Sequence, residues 1–476
     1  MKTLLVLVPA AFALTAYLLP SDRLRAWLLP VGGVAHLLLA LAAVIAPEPL
    51  PVGAWLGLDP LGRLVLLLVS LLFACCSVYG LGYLRFRQQW GTRAFVSCLF
   101  LFLSAMSLSV MARHLGILWV AVEATTLASA PLIYFNRNRL SIEATWKYLL
   151  LCSVGIALAM LGILFVAYSV LPAPHISLQL DALLAGAGHL SRPWLRAGFV
   201  FLLVGFGTKA GFAPLHTWKP DAYGEAPGMV GALLAGGLTS IAFLALLRTM
   251  QIMIAAGEAE VAHQALVVMG VLSLFFAAVF VIKQPDFKRL LAYSSVEHMG
   301  ILAIGFGVGG LAVFGALLHM INNALVKGVL FLTAGNIHRR FDSKRREEVA
   351  GAIAVLPVSA SLFVAGFLAV TGSPPFGLFV SELTILQGVF SAGRFPLGGY
   401  MLLMLAVIFI GMGSTVLAVT LGKPSPRANQ VNWNENFLTL APPAVLLLLV
   451  LILGLYLPEP VRAMIKAAAG TLEAGQ

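Results

Sequence analysis

The chain has 476 residues, 60% hydrophobic and only 10% charged, against about 25% charged in a soluble domain. Its mean hydropathy of +0.97 excludes a soluble globular protein. The formal charge of +11 therefore points to basic loops on one side of a membrane rather than to nucleic acid.

Apolar runs recur from end to end, and they predict about 14 spans, each long enough for a hydrocarbon core of about 30 Å. The fold class expected is an all-α polytopic membrane protein. The spans are placed at 3–20, 27–46, 61–82, 94–112, 115–135, 146–170, 195–218, 228–250, 265–283, 290–308, 311–335, 351–371 continuing broken to 390, 399–421 and 437–457. The start, MKTLLVLVPAAFALTA, has the basic end, apolar core and small residues of a signal peptide. A second apolar segment follows almost at once, so it is expected to stay as an uncleaved first span.

Basic loops follow the odd-numbered spans: Arg23 and Arg25; Arg85, Arg87 and Arg93; Arg137, Arg139 and Lys147; Lys283, Lys288 and Arg289; Arg339, Arg340, Lys344, Arg345 and Arg346; Lys423 and Arg427. The opposite loops carry Glu48, Asp59, Asp181, Glu258 and Glu260, with Arg113, Arg192, Arg196 and Arg394. Both termini are therefore expected on the non-cytoplasmic side of the cell inner (cytoplasmic) membrane. The stretches outside the bilayer, 172–194 and 336–350, are too short to bury a core, so one membrane domain is expected over 1–476.

Cys75, Cys76, Cys98 and Cys152 sit in apolar segments without CxxC spacing or histidine partners, and read as packing residues. No cofactor, metal or catalytic centre is spelled in the chain. His175, His189, His216 and His338 lack metal-ligand spacing, and RRFDSKRREE reads as a solvated cytoplasmic loop. GFGTKAG is superficially like a nucleotide loop, but no strand precedes it and no acidic partner follows at the required distance.

Charges inside the spans carry the functional signal, because each costs about 2.5–3.5 kcal/mol on insertion scales unless it faces a bundle interior or a wetted cavity. In chain order they begin with Glu123 in LWVAVEATTLASAPLIYF, followed by Lys209 in VGFGTKAGFAPLHTWKPDAYGEAP, where Gly211, Pro214 and Pro220 break the apolar run. A buried pair of this kind locks two helices or acts as a switch. Two unit charges at 4 Å interact by about 4 kcal/mol at an effective dielectric of 20, so separating Glu123 from Lys209 would help Lys209 release its proton. Next, His319, Asn323 and Lys327 recur every four residues in GALLHMINNALVKGVLFLTAG, which lines them along one helical face as a wetted path; histidine suits a relay near neutral pH. Glu382 follows in TGSPPFGLFVSELTIL, broken by Gly372, Pro374, Pro375 and Gly377. Glu297, His298 and Lys147 are weaker, auxiliary candidates, because they lie nearer to basic loops, within snorkelling reach of the surface.

Glu123 and Lys209 are 86 residues apart, Glu297 and Glu382 85. Two units of five helices, 94–250 and 265–421, fit that spacing, flanked by N-terminal helices over 1–93 and a C-terminal helix and tail over 437–476. An odd helix count inverts consecutive copies. Lys209 and Glu382 then stand as matching exchange positions on broken helices 7 and 12.

KAGFAPLHTWKPDAYGEAP from residue 209, AYSSVEHMGIL, HMINNALVKGVLFLTAG and GSPPFGLFVSELTIL resemble, in the same order, the motifs of the antiporter-like membrane subunits of complex I, multisubunit cation antiporters and group 4 hydrogenases. EATTLASAPLIYFNRN and SIEATWKYLLLCSVGIALAMLG look most like component F of hydrogenase-4. The resemblance implies a proton-translocating subunit with a charged axis: Glu123 as acidic partner, Lys209 as central lysine, His319 and Lys327 as relay groups, Glu382 as terminal exchange site. It also implies other membrane subunits as partners, and a peripheral redox arm with nickel-iron-hydrogenase-like or iron-sulfur subunits. Protons are the expected ion, with sodium not distinguished. Two departures stand out: Ser240 where many relatives have Lys or His, and Asn323 where many have His. Neither holds a proton at ordinary pH, so both would act through water, with Glu297 as a compensating group. A cation/proton antiporter subunit without redox chemistry is the alternative, and a scaffold whose charges only set packing is the third reading.

Overall fold

The computed structural model describes residues 2–51, 53–86, 91–172, 176–429, 431 and 433–473; Arg87 and His175 lie outside them. Among the described residues there is no strand, only isolated bridges that tie loops to helix ends. Among the described residues eleven helices are long and apolar enough to cross a membrane, and Leu4–Leu18, Pro357–Val370 and Gly377–Ser391 are shorter apolar helices.

In chain order these are α1 (Leu4–Leu18), α2 (Asp22–Ile45), α3 (Pro60–Phe86), α4 (Arg93–Met111), α5 (Leu115–Ile133), α6 (Arg139–Ser169), α7a (Arg192–Ala210), α7b (Lys219–Glu225), α8 (Gly228–Ala255), α9 (Ala259–Val281), α10 (Phe287–Val308), α11 (Leu311–Phe341), α12a (Pro357–Val370), α12b (Gly377–Ser391), α13 (Phe395–Thr420), α14 (Phe437–Leu455) and α15 (Glu459–Glu473). With α7 and α12 each counted as one broken rod, fourteen rods cross the bundle, as the hydropathy pattern predicts. Two runs of five rods, α4–α8 and α9–α13, each contain one of the breaks, at α7 and at α12.

Several bounds differ from expectation for local reasons. α6 starts at Arg139 rather than near 146, because Asn138 and Ser141 form a reciprocal capping box that satisfies the first free amides. The same device, Asn436 with Thr439, opens α14. The segment expected as a tail ends in α15, which buries Ile465, Ala468, Ala469 and Leu472 while Glu459 and Arg462 stay outside, an amphipathic pattern. α1 packs against α4, and Ser104 donates to the Val6 carbonyl, so the first span is a member of the bundle.

α8, α10 and α11 form the centre; α8 is enclosed along its whole apolar length. α2, α6, α9, α13 and α14 turn large apolar side chains outward, among them Leu38, Leu150, Val268, Phe409 and Leu448, as lipid-facing helices do. Inside α8, Leu233–Leu238 is a π-helical stretch, a feature often found at functional sites.

Candidate functional site

Lys209 lies on the last turn of α7a and is fully buried. Its Nζ donates to Thr126 Oγ1 at 2.7 Å and to Tyr148 Oη at 2.8 Å, and it sits 4.7 Å from the centre of the Tyr148 ring. Thr126 in turn donates to Glu123 Oε2 at 2.9 Å, and Ser153 to Glu123 Oε1 at 3.3 Å. Glu123 and Lys209 are thus brought together, but across a hydroxyl rather than in direct contact. The cause is helical spacing: Thr126 is three residues beyond Glu123 and shares its face of α5. A threonine hydroxyl has one hydrogen and two lone pairs, so it accepts from the ammonium and donates to the carboxylate at once.

The second unit repeats this arrangement with other residues. Lys327 on α11 is fully buried and donates to Ser294 Oγ at 2.8 Å. Ser294 donates to Glu297 Oε2 at 3.2 Å. Glu297 and His298 do not snorkel: they are 1% and 0% exposed, because α10 is enclosed by α7b, α9, α11, α12b and α13. His298 Nδ1 and His319 Nε2 share a hydrogen bond of 3.0 Å, and His319 Nδ1 lies 3.0 Å from Ser381 Oγ. The Ser381 hydrogen goes to the Leu378 carbonyl. His319 Nδ1 must then donate to Ser381 and its Nε2 accept from His298, a tautomer assignment made from the network.

Glu382 closes this row on α12b. It lies against Gly372, where an added Cβ would fall 2.1 Å from Glu382 Oε2. Glu382 Oε1, His298 Nε2 and Asn323 Oδ1 are buried and take no hydrogen bond from the protein. Ligand atoms of His298, His319 and Glu382 lie within 4.8 Å of one another. Two imidazoles and a carboxylate are a donor set that suits a borderline cation such as zinc, while the nearby Lys327 charge opposes one.

Between the units, Ser240 does not reach across. Its hydroxyl donates to the Gly236 carbonyl of its own helix at 2.6 Å. Lys147 is placed outside the row: its half-exposed ammonium pairs with Glu143 at 2.6 Å and Asp221 at 2.9 Å, as a snorkelling lysine would. That pair belongs to a clamp in which Arg289 holds Asp221 and Lys344 holds Glu225 at 2.5 Å. A second clamp joins Asp59 to Arg248 and Arg113, with Asp181 on Arg113. Burial alone would raise the Asp59 carboxyl, but Arg248, the Gly62 amide and Arg113 hold it below its ordinary range.

Thr126, Tyr148, Ser294 and Ser381 carry no charge and do not stand out in the sequence. Only their three-residue spacing from Glu123 and Glu297 marks Thr126 and Ser294 in the sequence. The four cysteines are free.

Residues 112–413 match the family described as NADH:quinone oxidoreductase/Mrp antiporter, TM. A hydrogenase-4 component F homolog of Methylacidiphilum infernorum is 32% identical over 468 residues, 96% of each chain. NADH-quinone oxidoreductase subunit N of Desulforudis audaxviator is 32% identical, over 86% of this chain and 81% of its own. Na(+)/H(+) antiporter subunit A1 of Staphylococcus aureus is 29% identical, over 88% of this chain but 54% of its own. Among solved structures, a chain of the archaeal membrane-bound sulfane sulfur reductase superposes with a TM-score of 0.88 at 20% identity, covering 99% of this chain and 97% of that one. A chain of the Mrp complex from Dietzia gives 0.86 at 18%, with the same coverage. Both show the fold alone.

Proposed function

Because this chain belongs to the NADH:quinone oxidoreductase/Mrp antiporter family of membrane subunits, we propose that it moves protons along the buried row of Glu123, Lys209, Lys327, His319 and Glu382. The observation that carries this reading is the repeated triad, Glu123–Thr126–Lys209 and Glu297–Ser294–Lys327. In each, an ammonium is linked to a carboxylate through a hydroxyl. When the lysine passes a proton to the hydroxyl oxygen, the hydroxyl passes its own to the carboxylate, and the two charges vanish together. Reversal restores them. Glu297 therefore acts as the second unit's acidic partner, and Glu382 exchanges protons at the end of the row.

The chain is assigned to a hydrogenase-4-like or complex I-like redox assembly. Partner membrane subunits and a peripheral arm with nickel-iron-hydrogenase-like or iron-sulfur subunits would carry the electrons. The 96% two-way coverage with a hydrogenase-4 component F homolog, against 54% coverage of the Na(+)/H(+) antiporter subunit, favours this over cation/proton antiport. The units are read as 94–250 and 265–421, in the cell inner membrane. The test is Lys209→Ala in the assembled complex, reconstituted in liposomes with a pH-sensitive dye. Pumping is expected to fall by about 100-fold or more, the scale of a lost acid-base group, with subunit composition intact. Native pumping would leave only the scaffold reading.

A further inference from the structure

Lys219 opens α7b, and the sequence gives no reason to count it inside the membrane. In the structure it is fully buried. Its ammonium donates to the Ala210 carbonyl and stands 5.8 Å from the centre of the Tyr223 ring. Among the described residues no carboxylate lies within ion-pair distance of it, unlike Lys147 or Lys344. A buried ammonium with one backbone acceptor retains two free N–H donors and carries a large desolvation penalty.

Its position is the second observation. Lys219 lies within electrostatic range of Lys327, and Cys152 lies within range of Lys209, Glu123 and Lys219 alike. The acceptor Ala210 is the residue next to Lys209. Lys219 is thus bonded to the neighbour of Lys209 and within range of Lys327, whereas Ser240 is tied to Gly236 of its own helix.

The third observation is the geometry of the two breaks. Gly211 has φ +80° and Gly372 φ +65°, backbone that favours glycine. An added Cβ on Gly211 would fall 2.0 Å from Lys219 Cε and 2.6 Å from its Nζ, as one on Gly372 would meet Glu382 Oε2. Each break therefore folds one ionisable side chain of its second half-helix over its own glycine. Lys209 precedes its break, whereas Glu382 follows; by this geometry the counterpart of Glu382 is Lys219. Capping the orphan carbonyls of α7a explains one N–H of Lys219, but not a cap placed within range of another lysine.

We propose that Lys219 is the proton-carrying residue linking Lys209 to Lys327, the first unit's equivalent of Glu382. The Lys219 ammonium gives one proton to neutral Lys327, and the Lys209 ammonium restores it, with water bridging any span beyond hydrogen-bond reach. Only N–H bonds break and form, and charge is conserved at each transfer. This rests on the proton-translocating reading above.

The test uses the complex with all its partner subunits, reconstituted in liposomes, with composition checked for every variant. Lys219→Gln keeps an N–H donor for the Ala210 carbonyl but cannot carry a proton; Lys219→Met removes both. Pumping is expected to fall by at least about ten-fold in each, and the double variant Lys209→Ala with Lys219→Met should be no worse than Lys209→Ala alone, as members of one relay behave. Native pumping in Lys219→Gln, or in both single variants, overturns the inference and leaves a capping role. If Lys209→Ala is inactive while Lys219→Gln pumps normally, only this inference fails. If Lys209→Ala itself pumps normally, the proton-translocating reading fails with it.

Discussion

At the Thr126 hydroxyl a single hydrogen decides whether Glu123 and Lys209 communicate. Thr126→Val keeps the shape and deletes the bridge, leaving a buried ammonium and carboxylate each short of a partner; a lost buried hydrogen bond is worth about 1–3 kcal/mol, so pumping should fall by about ten-fold or more. Thr126→Ser retains the hydroxyl and should stay near native. Equal pumping by Val and Ser variants, read with a pH-sensitive dye, would remove the hydroxyl from the mechanism. The same logic holds for Ser294 between Lys327 and Glu297. Charges stand out in an apolar sequence, which made Glu123, Lys209, Lys327 and Glu382 legible. Hydroxyls do not, because many of those described bond their own helix four residues back, as Ser70, Ser107 and Thr239 do.

Among the elements, the breaks and the clamps divide the labour. The glycines and prolines of α7 and α12 marked both breaks in the sequence. They did not reveal which side chain folds over each one, since that depends on the return path of the chain after Gly211 and Gly372. The Asp59–Arg248–Arg113 clamp joins the start of α3 to α8 and to the linker before α5. Asp59→Asn leaves Arg248 buried with its charge unmatched, which should cost about 3–5 kcal/mol and lower the thermal midpoint of the detergent-solubilised complex; an unchanged midpoint would show that the clamp contributes no stability. Its pH dependence has a definite sign. The folded carboxyl is held below its ordinary range, so its contribution is complete above the unfolded value near 3.8 and is lost as pH falls through the lower folded value.

Over the whole molecule, the loop charges predict that both termini face the non-cytoplasmic side. Alkaline phosphatase fused after Gln476 should be active and a fluorescent protein there dark; the reverse pattern would invert the orientation. The row of ionisable groups draws on α5, α7a, α11 and α12b, and so it runs across the bundle rather than along one helix.

The sequence by itself determined the membrane class, the span count, the two broken helices and most charged members of the row. Each of these follows from composition or local spacing, which act over one helix turn or one bilayer thickness. Tertiary structure alone decided three things. It enclosed Glu297 and His298, because neighbouring helices, not distance along the chain from a basic loop, close off the surface. It set Thr126 and Ser294 between their lysines and carboxylates, because hydrogen bonds across helices depend on packing that no single helix encodes. It brought Lys219 back over Gly211 beside Ala210, because the left-handed glycine reverses the chain and leaves room for the side chain.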